Sequence, residues 1–255
     1  AMNAVDYAAQ KATTRLRGVM AVHYPGDYGD DAAVGARVAA KAHNLPFKDV
    51  STPQGVEAQG PAIEQILKVK PGVVVLATSP SEVAAIVTQT LRRGFRGSFV
   101  GSSPTWSEAL AASPVGKLLE KRFLQTGPWR PFATDSPGHA AMRAALGSVV
   151  PSDNYVAGWA FSYPLKAALD KSAASGQITR SSLFDAARQL TSVDYEGILP
   201  PKAGNFAGDA NAHAFRETVI SRPDDSQISG IRVLEDFFAG ATARSYSLRQ
   251  PCFKE

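Results

Sequence analysis

The sequence predicts an α/β protein built around a doubly wound parallel sheet, and residues 71–106 carry most of the evidence. Val73–Ala77 is a continuous apolar run that is too short and too rich in β-branched residues to be a helix. A stretch of helical length follows, with Glu82 near its start and two arginines and a glycine at its end. Phe99 and Val100 then begin a second apolar run. A buried strand, a helix and another buried strand form the repeating unit of a parallel sheet.

The preceding residues extend the same alternation. Their apolar spacing predicts helices over residues 3–15, 31–44 and 57–70 and strands over 17–24 and 47–50. Residues 25–30, Pro-Gly-Asp-Tyr-Gly-Asp, are expected to form a turn after the first strand because glycine tolerates positive φ. Ser81 is expected to cap the helix that follows Val73–Ala77.

The pattern changes after Trp106. We expect short helical pieces over 107–111 and 115–121, a strand over 122–126 and a helix over 137–146. A crossing between two lobes is expected at 149–154. Helices over 155–172 and 179–190 have no strands of their own, so this apolar pair must cover a sheet that the sequence lacks. Short strands are expected over 219–221 and 231–234. We therefore divide the chain into an α/β lobe at 1–150, a helical segment at 151–215 and a return crossover with the tail at 216–255.

Composition and charge exclude several classes of protein. Hydrophobic residues make up 44% of the 255 and charged residues 20%, as in ordinary globular proteins. The 27 basic and 23 acidic residues are interspersed and give a net charge of +4, which argues against nucleic acid as a partner. Arg92, Arg93 and Arg96 fit a helix C-terminus, with phosphate contact as the alternative. The sequence contains neither a run of eighteen apolar residues nor the pattern of a signal peptide.

The residues known to carry catalysis or bind metals are not arranged for either purpose. The four histidines are scattered without metal-ligand spacing, so no metal is expected. No nucleophile motif and no phosphate-binding motif follows a strand, so we expect neither an enzyme nor a cofactor. Asp27, Glu82 and Glu108 could act as paired carboxylates, but helix capping explains the two glutamates and turn formation explains Asp27, and we favour these explanations.

Hydroxyl groups follow the predicted strands, at the edge of the sheet where open α/β proteins bind ligands. Such groups suit reversible binding of a small polar molecule. The candidates are Tyr28, Thr78, Ser79, Ser81, Ser102 and Ser103, with Trp106 as an apolar wall. The alternatives are that the serines and threonine only cap helices, that Tyr28 packs within its own loop, and that Trp106 belongs to the core.

Three segments together resemble the type I periplasmic binding proteins, and among them the branched-chain amino acid-type substrate-binding proteins of ABC transporters. The segments are VMAVHYPGDYGDDAAVGARVAAKAHNL, EQILKVKPGVVVLATSPSEVAAIVTQTLRRGFRGSFVGSSPTW, and YVAGWAFSYPLKAALDKS with DYEGILP after it. The resemblance covers nearly the whole chain. It implies an extracytoplasmic protein that delivers a small solute to a membrane permease, without catalysis. Ligand-sensing modules of receptors or transcriptional regulators share this fold and are the alternative, and an enzyme on a flavodoxin-like sheet is a weaker one.

The resemblance also implies a division into lobes. Family members close two α/β lobes over the solute, and residues 3–15 match the start of the second lobe, so we expect the strands of the first lobe to be absent. The helices over 155–172 and 179–190 would then pack on that first lobe, or on a second copy of the chain in a homodimer. Cys252, the single cysteine, could have its partner in the missing part.

Carried over position by position, the family's ligand contacts fall on Tyr28, Ser79, Pro80, Ser102 and Ser103. Amino acid-binding members often place an acid in the last of these loops, where this sequence has serine. An unpaired buried ammonium is costly, so we expect the site to prefer a neutral or hydroxylated solute, or to use an acid from elsewhere.

Overall fold

A seven-stranded sheet forms the centre of the first of two structural units. The computed structural model describes residues 1–249, of which Ala1–Gly127 and the chain from Thr218 onward form unit 1, and Pro128–Glu217 form unit 2. The sheet has the order β2-β1-β3-β4-β5-β6-β7, in which β1 to β5 are parallel and β6 and β7 are antiparallel. Its strands are β1 Val19–His23, β2 Phe47–Ser51, β3 Val73–Ala77, β4 Ser98–Ser102, β5 Phe123–Gly127, β6 Thr218–Pro223 and β7 Ile231–Phe238.

Helices cover both faces of this sheet, which confirms the predicted doubly wound α/β class. The helices of unit 1 are α1 Met2–Lys11, α2 Asp27–Ala42, α3 Gly60–Val69, α4 Pro80–Arg92, α5 Gly116–Arg122 and α10 Ala241–Ser245. Alternate residues of one strand belong to different cores: Met20 and Val22 pack with α3 and α4, whereas Val19 and Ala21 pack with α1 and α2. Such alternation is what a strand buried on both faces produces.

Two local predictions about helix starts are wrong. Residues 25–30 are not a free turn, because α2 begins at Asp27, where Asp27 and Asp30 favour the positive end of the helix dipole. The cap of α4 is Ser79 and not Ser81: Ser79 has extended backbone angles and forms a capping box with Glu82. Pro80 therefore occupies the first position of the helix, where its missing N–H costs nothing.

Unit 2 is helical and has its own apolar core. It contains α6 Pro137–Leu146, α7 Asp153–Ala174, α8 Arg180–Arg188 and α9 Ala210–His213. The core includes Phe132, Met142, Val156 and Ile198. Because Phe132 and Met142 belong to this core, residues 128–150 group with unit 2, whereas the sequence placed the crossing at 149–154.

No helix within residues 1–249 combines the length and the apolar character that crossing a membrane requires. Cys252 lies outside the described residues.

Candidate functional site

The carboxyl ends of β1, β3 and β4 lie side by side in the sheet and bring Tyr28 and Ser102 together. Tyr28 lies in the first turn of α2, directly after β1, and Ser102 is the last residue of β4. The Tyr28 hydroxyl and Ser102 Oγ form a hydrogen bond although 74 residues separate them in sequence. Tyr28 is 40% exposed, so its ring is accessible from solvent at this edge.

Two glycines explain why α2 approaches β1 closely enough to place Tyr28 there. Gly26 has φ 105°, which lets the chain turn sharply from the strand into the helix. A Cβ on Gly29 would lie 1.8 Å from the carbonyl oxygen of Tyr24, so a larger residue would push the helix away. Gly26 and Gly29 are thus local requirements of this strand-to-helix connection.

A buried carboxylate ties together the segments that follow β1, β2 and β3. Glu82 is 3% exposed, and its Oε2 accepts hydrogen bonds from the Tyr24 hydroxyl and from the Ser79 amide at 2.8 Å. Its Oε1 accepts from the amide of Gly55 at 2.6 Å. Hydrogen bonds to an ionised acceptor are stronger than neutral ones, so Glu82 fixes the relative positions of these three segments.

Ser79 and Pro80 are half-buried at the start of α4, on the loop that Glu82 fixes. Ser79 Oγ lies 3.0 Å from Ser81 Oγ, whose side chain is exposed. Thr78 is buried with no hydrogen-bond partner for its hydroxyl among the described residues. The exit of β3 therefore contributes hydroxyl groups to the edge that holds Tyr28 and Ser102.

Two of the predicted site residues make contacts away from Tyr28 and Ser102. Ser103 Oγ donates to the carbonyl of Thr126 at 3.3 Å, although the residue stays half-buried. Trp106 is 6% exposed, stacks on Phe123 with a centroid distance of 6.1 Å, and donates from Nε1 to the carbonyl of Ser229 at 3.4 Å. Trp106 is thus a core residue and cannot form the expected apolar wall, because the short 3-10 turn after β4 directs it inward.

The electrostatics of the edge favour binding over proton transfer. Burial raises the pKa of Tyr28, while its hydrogen bond with Ser102 acts in the opposite direction, so the phenol is protonated near neutral pH. The N-termini of α2 and α4 point to this edge and favour negative or electron-rich groups of a ligand. Asp27 is an exposed carboxylate beside Tyr28.

Sequence reasoning missed the part of the site that Glu82 organises. The spacing Ser79-x-x-Glu82 predicts a capping box, but the contacts with Tyr24 and Gly55 depend on the sheet order and leave no local pattern. Within residues 1–249, no three His, Cys, Asp or Glu side chains come close enough together to hold a metal ion.

Comparison with known proteins gives a family and several similar structures. A family profile described as periplasmic binding protein matches residues 1–226. No curated protein matches the sequence. Among solved structures, a fatty acid ABC transporter substrate-binding protein from Thermomonospora curvata is 23% identical with a TM-score of 0.87, covering 96% of this chain and 63% of that one.

Two further structures have the same fold at lower identity. A branched-chain amino acid ABC transporter protein from Thermus thermophilus with bound valine is 18% identical, with a TM-score of 0.75 and coverage of 95% of this chain and 65% of that one. A leucine binding protein from Thermotoga maritima is 16% identical, with a TM-score of 0.70 and coverage of 92% and 64%. The chain therefore spans less than two thirds of the length of each of these three proteins.

Proposed function

Because this chain belongs to the periplasmic binding protein family, we propose that it is the solute-binding component of an ABC importer, or the larger part of one. It binds a small polar solute reversibly outside the cytoplasm, without catalysis, and passes it to a membrane permease. Capture occurs when two lobes close over the solute. The hydrogen bond between Tyr28 and Ser102 carries this proposal, because it joins two strand exits into one accessible polar surface.

The solute contacts in unit 1 are Tyr28, Ser79, Pro80, Ser102 and Ser103. Tyr28, Ser79 and Ser102 offer hydroxyl groups that can donate to or accept from a ligand. Ser103 contributes less, since its hydroxyl already donates to Thr126. Trp106 takes no part because it is buried.

The solute lacks an ammonium group. The exit of β4 supplies serine, and the buried acid at this edge, Glu82, already accepts three hydrogen bonds. Asp27, the exposed carboxylate beside Tyr28, is not among the proposed solute contacts. A hydroxylated or neutral solute fits this arrangement, and the fatty acid named for the Thermomonospora curvata protein also has no ammonium.

A matched pair of ligands tests this preference. Leucine and its 2-hydroxy analogue differ only in an ammonium and a hydroxyl, and calorimetric titration measures the affinity of each. We expect the hydroxy acid to bind more tightly. Tighter binding of leucine would show that an acid at the site pairs with the ammonium, and would overturn the preference while leaving the solute-binding role intact.

The helices α7 and α8 of unit 2 form the surface that meets the first lobe. Three apolar side chains on them, Phe161, Leu165 and Phe184, are 69%, 54% and 57% exposed, and a groove of about 500 Å³ runs between the helices. Exposed apolar surface of this kind is typical of an interface. A second copy of the chain is the alternative occupant.

Thermal denaturation with a panel of solutes tests the proposed function directly. The panel contains amino acids, their hydroxy analogues, fatty acids, aromatic acids, sugars and polyols. A ligand present at a hundred times its Kd adds about 2.7 kcal/mol to the free energy of unfolding, which gives a measurable shift. A shift confined to one chemical class supports the proposal, whereas turnover of any of these compounds would contradict it.

A further inference from the structure

A basic cleft lies at the opposite edge of the same sheet from the candidate solute site. It has a volume of about 570 Å³ and is lined by the residues that precede β1, β3 and β4, namely 12–17, 70–72 and 94–98. Four of these residues are cationic and exposed: Arg15, Arg17, Lys70 and Arg96. The lining contains no aspartate or glutamate.

The cations of this cleft are not paired with acids. Among residues 1–249, no carboxylate forms an ion pair with any of the four, whereas other cations such as Arg93 and Lys117 do pair with acids. Arg15 donates to the carbonyl of Asn44 at 3.2 Å, which leaves most of its donors unused. The positive charge is therefore concentrated and available.

Neutralisation of helix C-termini does not account for this charge. Three helices, α1, α3 and α4, end at the cleft, and each C-terminus carries a partial charge of about −0.5. These sum to about −1.5, which is well short of the charge of the four cations. A surplus of positive charge remains in the concave surface.

Lys70 ends α3 at the cleft in the left-handed conformation. Its φ is 52°, in the region that glycine adopts at no steric cost, and its amide donates to the carbonyl of Ile66. Replacing Lys70 with glycine would therefore remove this cation without straining the backbone.

We propose that this cleft binds a phosphate group through Arg15, Arg17, Lys70 and Arg96. Each of the three guanidinium groups can bind phosphate oxygens in bidentate fashion, and the ammonium of Lys70 adds a fourth point of positive charge. The hydroxyl of Ser98, at the start of β4, is a further donor on the wall of the cleft. The phosphate belongs either to a free oligophosphate or to the headgroup of an anionic lipid.

Two probes distinguish these sources at low ionic strength. Inorganic pyrophosphate is titrated with the chain by phosphorus NMR, and vesicles of phosphatidylglycerol are compared with vesicles of phosphatidylcholine in a flotation assay. Binding of pyrophosphate supports a free ligand, and binding of phosphatidylglycerol vesicles alone supports a lipid headgroup. The proposal is overturned if neither probe binds.

Variants test whether this cleft is the site. Arg17→Gln combined with Arg96→Gln should weaken binding of the effective probe by about tenfold, as expected for loss of two solvent-exposed ionic contacts. The matched control, Lys48→Gln combined with Lys202→Gln, removes the same charge from exposed residues outside the cleft and should change affinity by less than about twofold. Equal weakening in both variants would show that only net charge matters and would overturn the proposal.

Lys70→Gly separates a binding role from a structural one. Glycine relieves the left-handed backbone, so the midpoint of thermal unfolding should stay the same or rise, while affinity for the probe should fall by about threefold. Unchanged affinity in this variant would exclude Lys70 from the site.

Discussion

At the scale of single residues, Glu82 is the side chain on which the candidate solute site depends most. Glu82→Gln replaces a carboxylate oxygen that accepts from a backbone amide with an NH₂ group that cannot accept. We expect the free energy of unfolding to fall by about 2–3 kcal/mol, because buried donors lose a charged partner. Urea denaturation of the variant measures this loss.

The exposed Glu57 offers a matched control for this substitution. Glu57→Gln makes the same chemical change where no buried donor depends on the carboxylate, so it should alter the free energy of unfolding by less than about 0.5 kcal/mol. If the two variants were equally stable, the network around Glu82 would not hold the strand exits together.

His139 makes the stability of unit 2 depend on pH. It is fully buried in α6, its Nε2 lies 3.1 Å from the carbonyl of Arg130, and its Nδ1 lies 2.7 Å from Ser136 Oγ. Since a carbonyl can only accept, Nε2 carries the proton and Nδ1 accepts from the serine. Burial, with the nearby charges of Arg143 and Arg130, lowers the pKa of His139 below its ordinary value.

The sign of the pH effect follows from this lowered pKa. Below about pH 6.5 the unfolded chain binds a proton at His139 while the folded chain does not, so stability falls with decreasing pH, by up to about 1.4 kcal/mol per pH unit. His139→Gln removes the titrating group. We expect urea denaturation between neutral and mildly acidic pH to show a smaller loss of stability in this variant, and an unchanged loss would contradict the assignment.

At the scale of elements, the buried face of α4 should account for much of the stability of residues 71–106. Val87 is fully buried against the sheet, so Val87→Ala removes apolar contacts and leaves a cavity. We expect this substitution to lower the free energy of unfolding by about 2 kcal/mol.

The control lies at the end of α3. Val69 is 45% exposed, and Val69→Ala should cost less than about 0.5 kcal/mol by urea denaturation. A similar cost for both substitutions would mean that α4 does not pack as described.

The bounds of a helix or strand were predictable where its own residues determine them. They were not predictable where contacts with distant parts of the chain determine them. Val73–Ala77 and Pro137–Leu146 have the predicted bounds, because an apolar run and a Pro-led amphipathic stretch determine them locally. The start of α2 was missed because its glycines indicate a turn equally well. The burial of Trp106 was left open because it depends on Phe123, which joins the core only through sheet pairing.

At the scale of the whole molecule, the doubly wound sheet was predictable from the sequence, whereas the point where the chain leaves the sheet was not. That α7 and α8 cover the first lobe stays a prediction. Phe132 and Met142 assign residues 128–150 to unit 2, and their packing partners lie as far along the chain as Val156 and Ile198. Such long-range contacts have no counterpart in local patterns.

The exposed face of α7 provides a test of association. If a second copy covers this face, sedimentation velocity will show a dimer that Phe161→Ser combined with Leu165→Ser converts to a monomer. If the face meets the first lobe of a longer protein, as we propose, the chain will sediment as a monomer in both forms. A dimer that the substitutions leave unchanged would show that association uses another surface.

The central claim is that the chain binds its solute at the edge where Tyr28 meets Ser102. The most direct measurement is the affinity for a solute of the class that stabilises the chain, determined by calorimetry. It is compared among the unchanged chain, Tyr28→Phe and the control Tyr155→Phe. The control alters an exposed tyrosine of unit 2. We predict that Tyr28→Phe weakens binding by about tenfold, because the lost hydroxyl leaves polar groups of the ligand and of Ser102 unpaired, and that Tyr155→Phe has no effect. Equal affinities for all three proteins would contradict the account.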